Sequence, residues 1–189
     1  MCSVSNINMI ITNKELRIYY SPEFCLYLMK GIGDKIKHIR DMFDYRDSIN
    51  ITVTSQNEIK NPLPDWVVAF AYDNTIYILD KLLDAPVHYQ QEIIIHEFVH
   101  LATERYKKNM PLCLYEGVAM YLADQKEKLV DIIEVSKQID LNNVDYSNPL
   151  LYVYSFNITY MLVQKYSLSI LVELIKNGCI KKIYNYISK

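Results

Sequence analysis

No apolar run in this 189-residue chain approaches the ~18 residues of a membrane-spanning helix, which excludes a helical span. Met1 to Ile11 carries no basic stretch ahead of a long apolar core, so no secretory signal is expected. Charge of one sign is also missing. Twenty Lys and Arg against 22 Asp and Glu leave a formal net charge of −2, without a dense basic cluster. A nucleic-acid partner would have no electrostatic footprint to meet, and none is expected. Cysteine is sparse and scattered: Cys2, Cys25, Cys113 and Cys179 show no pair spacing. Reduced thiols and a cytoplasmic location are the expectation. No internal repeat or low-complexity tract is seen, and no second domain is expected. What remains is a chain that is 51% hydrophobic with 17 tyrosines, which suits one packed domain or two lobes sharing a cleft.

Histidine is scarce too, with four in all, yet two of them bracket a glutamate in His96-Glu97-Phe98-Val99-His100. Residues four apart share one face of a helix, so the two imidazoles can reach a single metal ion. Glu97, one step round the helix, lies beside the ion, where a carboxylate can take a proton from an activated water. A catalytic zinc takes three protein ligands and keeps one open position. Glu116, at the start of the next helical pattern, is the candidate third ligand. The alternative is a surface helix with two incidental histidines. Against it, Ile95, Phe98, Val99, Ala102 and Tyr106 form an apolar stripe at helical spacing beside the His face. Polar groups next to a core face need partners. Nitrogen and carboxylate donors suit zinc better than calcium or magnesium.

HEFVH followed by PLCLYEGVAMYL resembles the gluzincin metallopeptidases, the clan of thermolysin and aminopeptidase N. The likeness is greatest to the small peptidase MA-like, or minigluzincin, proteins. Their second motif runs Trp-Leu-x-Glu-Gly-x-Ala-x-Tyr; here it reads Cys113-Leu114-Tyr115-Glu116-Gly117-Val118-Ala119-Met120-Tyr121, with Cys113 in place of the Trp. The gap from His100 to Glu116 is shorter than in the large aminopeptidases, which suggests a tighter connection. The motifs and their surroundings cover roughly half of the chain.

Taken in order, Ile7–Ile11 is expected as a short strand and Leu16–Tyr20 as another. Ser21-Pro22 opens a helix to about Tyr45, with Cys25, Leu28, Ile32, Ile36, Ile39 and Phe43 on one stripe and His38 on the polar side. Ser48–Ser55 alternates as a half-buried strand, with Ile49, Ile51 and Val53 facing one way. Trp66–Tyr72 and Thr75–Leu79 make a hairpin around Asp73-Asn74. A helix with Asp84 as N-cap is expected to run to about Lys108, carrying the His pair. His88 is two turns, about 11 Å, from His96 and too far to share an ion. Thr103 and Glu104 could support a ligand through hydrogen bonds, or simply be solvated. Leu112–Gln125 presents Glu116, and Gly117 beside it suggests close approach of two helix backbones around the ion. Lys126–Asp140 reads as a helix, Leu141–Asn148 as a loop and Leu150–Tyr166 as a helix. Leu168–Asn177 is a helix stopped by Gly178, and Cys179–Lys189 a terminal amphipathic helix.

The resemblance adds roles. A gluzincin strand lines the cleft and takes substrate as an added strand, so Val68, Ala69, Phe70, Ala71 and Tyr72 are the implied substrate-binding edge. The Gly-x-Met-Glu-Asn segment of the large aminopeptidases is absent from Val67–Asp73, which argues against their specificity. Their Tyr-Glu-Lys-Gly-Phe segment matches Tyr152-Val153-Tyr154-Ser155-Phe156, so Tyr152 is the implied oxyanion donor and Tyr154 the reserve.

The expectation is therefore an α+β fold. It has a small N-terminal sheet of about four strands with a long helix, in a lobe of about residues 1–83. A mainly helical lobe, about 84–189, follows, with a zinc cleft between them. The expected function is zinc-dependent peptide hydrolysis on a peptide or protein substrate, with Glu97 and Tyr152 catalytic and His96, His100 and Glu116 on the metal. Oligomeric state is not legible. The rivals are a metal-binding module that holds a peptide or partner, or a latent peptidase-like protein; a peptidase that cleaves a repressor; and a lipid- or epoxide-directed hydrolase. The intact Glu97 disfavours the first and the Glu116–Tyr121 segment the second.

Overall fold

The computed structural model describes residues 8–9, 18–20, 26–60, 63–126, 144–148 and 150–180. The architecture is α+β, as expected. Strands β1 (Asn8–Met9), β2 (Ile18–Tyr20), β3 (Ile49–Thr54), β4 (Ala69–Tyr72) and β5 (Thr75–Leu79) form one sheet in the order β1-β2-β3-β5-β4. Among the described residues the sheet thus has five strands where about four were expected: three longer ones, β3 to β5, and the short pairings β1 and β2. The helices among the described residues are α1 (Leu26–Met42), α2 (Val87–Thr103), α3 (Leu112–Ala123), α4 (Leu151–Tyr166) and α5 (Leu168–Lys176). The chain divides into two compact units between Ala102 and Thr103, the last residue of α2, whereas the sequence suggested a division near residue 83.

In the first unit β2 and β3 run parallel, which a tight turn cannot join; α1 is the crossover that does. Its stripe of Ile32, Ile36, Ile39 and Phe43 is fully buried, as its spacing implies. In β3, Ile49 and Ile51 are buried and Asn50 is exposed, while Val53 is only half-buried, so the alternation fades toward the strand's end. β3 also pairs parallel with β5, setting Ile51 opposite Ile76. The β4–β5 hairpin turns through Asp73 and Asn74, both left-handed (φ 47° and 57°), the conformation a two-residue hairpin turn needs. Its first strand starts at Ala69 instead of Trp66, although the Leu79 N–H still donates to the Val68 carbonyl at 2.9 Å. The Tyr45 hydroxyl donates to Asn74 Oδ1 at 2.9 Å, and its ring stands edge-on to Phe98 of α2, 5.5 Å between centroids. Burial, and then the Asp47 carboxylate, push that phenol up to about 12.

The expected single helix from Asp84 to Lys108 is two elements. α2 starts at Val87, where the Gln90 amide donates to the carbonyls of Leu83 (3.0 Å) and Ala85 (2.7 Å) and closes the entry in place of the exposed Asp84. After Thr103 the chain tightens into a 3₁₀ stretch, Glu104–Asn109. Buried positions end there: Glu104, Arg105, Lys107 and Lys108 are exposed, so no core face holds further α-turns.

In the second unit α3 starts after Pro111, whose carbonyl accepts from Leu114 and Tyr115, both at 3.0 Å. It ends at Ala123, two residues before the expected Gln125. Asp124 turns left-handed (φ 61°) and the Gln125 N–H returns to the Met120 carbonyl at 3.0 Å. Every residue from Cys113 to Met120 is buried, so α3 is the centre of its unit and not an amphipathic surface helix. It packs along α4. A Cβ built on Gly117 would overlap the Ser155 carbonyl oxygen and Thr159 Oγ1, so the glycine does mark a close approach of helices, and the partner is α4. Ser167 (φ 70°) separates α4 from α5, bent by 107°. Leu171, Val172 and Ile175 anchor α5. Gly178 (φ 68°) stops it as expected, with the Cys179 N–H donating to the Leu174 carbonyl at 2.9 Å. No single described helix is long and apolar enough to cross a membrane. The start of α1 near Ser21, the expected Lys126–Asp140 helix (bar its first residue) and most of Cys179–Lys189 lie outside the described residues.

Candidate metal centre

Four core residues of α2, Ile95, Phe98, Val99 and Ala102, are buried as the stripe requires. That anchoring fixes the rotation of the helix and with it the direction of His96 and His100. Their Nε2 atoms come within 3.0 Å of each other, with the rings nearly perpendicular at 80°. Glu116 is only 2% exposed and His96 8%. One ligand atom from each of His96, His100 and Glu116 lies within 4.8 Å of the others, a buried group that could hold a metal ion.

The donor chemistry fits such an ion. Two Zn–N bonds of about 2.0–2.1 Å at a tetrahedral angle place the nitrogens about 3.3 Å apart; these stand 3.0 Å apart. A carboxylate buried as deeply as Glu116 carries a desolvation cost that a cation and hydrogen bonds offset. One such bond comes from Tyr146, whose hydroxyl donates to Glu116 Oε1 at 2.7 Å. Glu97, next to His96 on α2, is half-buried.

The surrounding residues sort themselves by environment. The Tyr115 hydroxyl donates to Glu104 Oε2 at 3.1 Å. Burial first, then the carboxylates of Glu104 and Glu116 and the nearby Tyr146, push its ionisation far above the usual phenol range, so it stays a neutral donor. Glu104 also pairs with Lys107 at 3.7 Å and is largely exposed. Thr103 is buried, and so is the Cys113 side chain. His38 and His88 are exposed, away from any such cluster. Tyr152 is the second residue of α4 and half-buried, while Tyr154 is a core side chain. Ala69 to Tyr72 form the edge strand of the sheet, with Val68 hydrogen-bonded just before it.

Tyr146 is the site residue that sequence reasoning passed over. It lies in a polar turn with no periodicity, 30 positions from its acceptor. The available signal was turn chemistry: Asp145, Ser147 and Asn148 are residues that close turns with their own side chains.

Comparison with protein-family models, with curated proteins and with solved structures finds no match to this chain.

Proposed function

We propose that the protein is a compact zinc-dependent peptidase of the gluzincin type. The observation that carries this reading is the convergence of His96, His100 and Glu116, with Glu97 adjoining His96 on the same helix. His96, His100 and Glu116 would hold the ion. Zinc bound there would lower the pKa of a water and polarise the scissile carbonyl. Glu97 takes the proton of the attacking water and passes it to the leaving amine. Tyr152 donates a hydrogen bond to the oxyanion; loss of such a donor typically costs about 10²–10³ in rate. Val68 to Tyr72 receive the peptide, and the position of β4 at the sheet edge suits addition of a further strand.

The test is a peptide-library digest read by mass spectrometry, with zinc-loaded wild type beside Glu97→Gln. Cleavage by wild type and none by Glu97→Gln, with zinc retained in both, is the expected result. If neither cleaves while both hold zinc, hydrolysis is the wrong activity and a metal-dependent binding module takes its place.

A further inference from the structure

Glu116 brings one buried carboxylate to the candidate metal group, and a carboxylate on a helix can rotate about three side-chain bonds. Something has to select one orientation. Gly117 provides no side chain to pack against it, and the neighbouring Tyr115 hydroxyl is engaged by Glu104. One donor that does reach Glu116 comes from the turn ahead of α4. It is Tyr146, at 2.7 Å, an ordinary distance for a well-formed bond from a hydroxyl to an oxygen.

The turn that carries Tyr146 is built from its own side chains. Asp145 Oδ1 accepts from the Ser147 N–H at 2.9 Å and the Ser147 hydroxyl at 2.5 Å. These bonds, the hydroxyl first, hold the Asp145 carboxyl below the usual range. The Asn148 N–H donates to the Asp145 carbonyl at 3.1 Å, and the Asn148 Oδ1 and carbonyl accept from the Leu150 and Leu151 N–H groups at 2.9 and 3.0 Å. The turn is thereby fastened to the first residue of α4, and Tyr146 sits within it, bonded on both sides. Yet Tyr146 is 49% exposed, a large aromatic with little core to fill. Its ring is not there for burial.

We infer that Tyr146 is a positioning residue for the metal centre: its hydroxyl orients the Glu116 carboxylate for the ion. The inference rests on the metal reading of His96, His100 and Glu116. A carboxylate has about four lone-pair sites, so Glu116 can accept Tyr146 and bind a cation together. Partners of this kind typically contribute 10–100-fold to metal affinity.

The experiment is zinc competition against a chromophoric chelator for the full-length wild type, Tyr146→Phe and Glu116→Ala, with the visible spectrum of the cobalt-substituted proteins recorded in parallel. Tyr146→Phe removes one oxygen from a half-exposed ring, so the metal-free protein should stay folded, with a melting temperature lowered only by the loss of one hydrogen bond to Glu116. The expected result is affinity about 10–100-fold weaker than wild type, an altered cobalt band, and a larger loss in Glu116→Ala. Wild-type zinc affinity and an unchanged cobalt band in Tyr146→Phe, with binding lost in Glu116→Ala, would overturn this inference and leave the metal centre standing. Equal binding by wild type and Glu116→Ala would overturn both.

Discussion

A glutamate as enclosed as Glu116 is held against its own solvation. A hydroxyl bond such as that from Tyr146 offsets only part of the solvation a carboxylate loses on burial, and a bound cation would offset more. The sign of its contribution should therefore depend on metal. Glu116→Gln keeps the shape and an acceptor for Tyr146 but removes the charge. In chelator, Glu116→Gln should melt at or above wild type; in excess zinc it should melt below. Thermal melts under the two conditions check this, and a variant that melts lower in both would mean the charge is not there for a cation. Two residues of the candidate metal group, His96 and His100, are legible in sequence because what brings them together is their spacing on one helix. Glu116 was reached through the motif around it. Tyr146 was not reached because its bond to Glu116 depends on where a turn returns in space, and no local period encodes that.

At the scale of elements, the tightest constraint is Gly117. The α3 and α4 backbones meet there closely enough that a methyl group has no room beside the Ser155 carbonyl oxygen, which cannot rotate away. Overpacking typically costs about 1–3 kcal/mol. Gly117→Ala should therefore lower the melting temperature by about 2–12 °C for a chain of this size, although alanine is the better helix former. A melting temperature at or above wild type would mean that the helices part without cost. The sequence showed that two helices come close at this point without showing that α4 is one of them, since a glycine reports contact without naming what it touches. Boundaries were legible where local chemistry sets them. The Asp73-Asn74 turn and the Gly178 stop are such places. They were misplaced where a tertiary contact sets them, as where α2 gives way to 3₁₀ turns once its buried face ends.

For the whole molecule, the α+β class followed from the order of patterns, two strands, a helix, three strands and then helices. The strand order β1-β2-β3-β5-β4 did not, because parallel pairing of β3 with β5 joins residues that no turn connects. Binding of metal tests the molecule as one thermodynamic system. A ligand that binds only the folded protein stabilises it by about 2.7 kcal/mol at a hundredfold excess over its dissociation constant. For a chain of this length that is a rise of roughly 5–11 °C in melting temperature. Zinc should raise the melting temperature of wild type by this amount, and that of Glu97→Gln equally, since Glu97 is proposed as a base and not as a ligand. It should leave His100→Ala unmoved. The comparison separates holding the ion from using it: an equal shift in all three would place zinc elsewhere on the protein, and a shift lost in Glu97→Gln would make Glu97 a ligand and take from it the role of base.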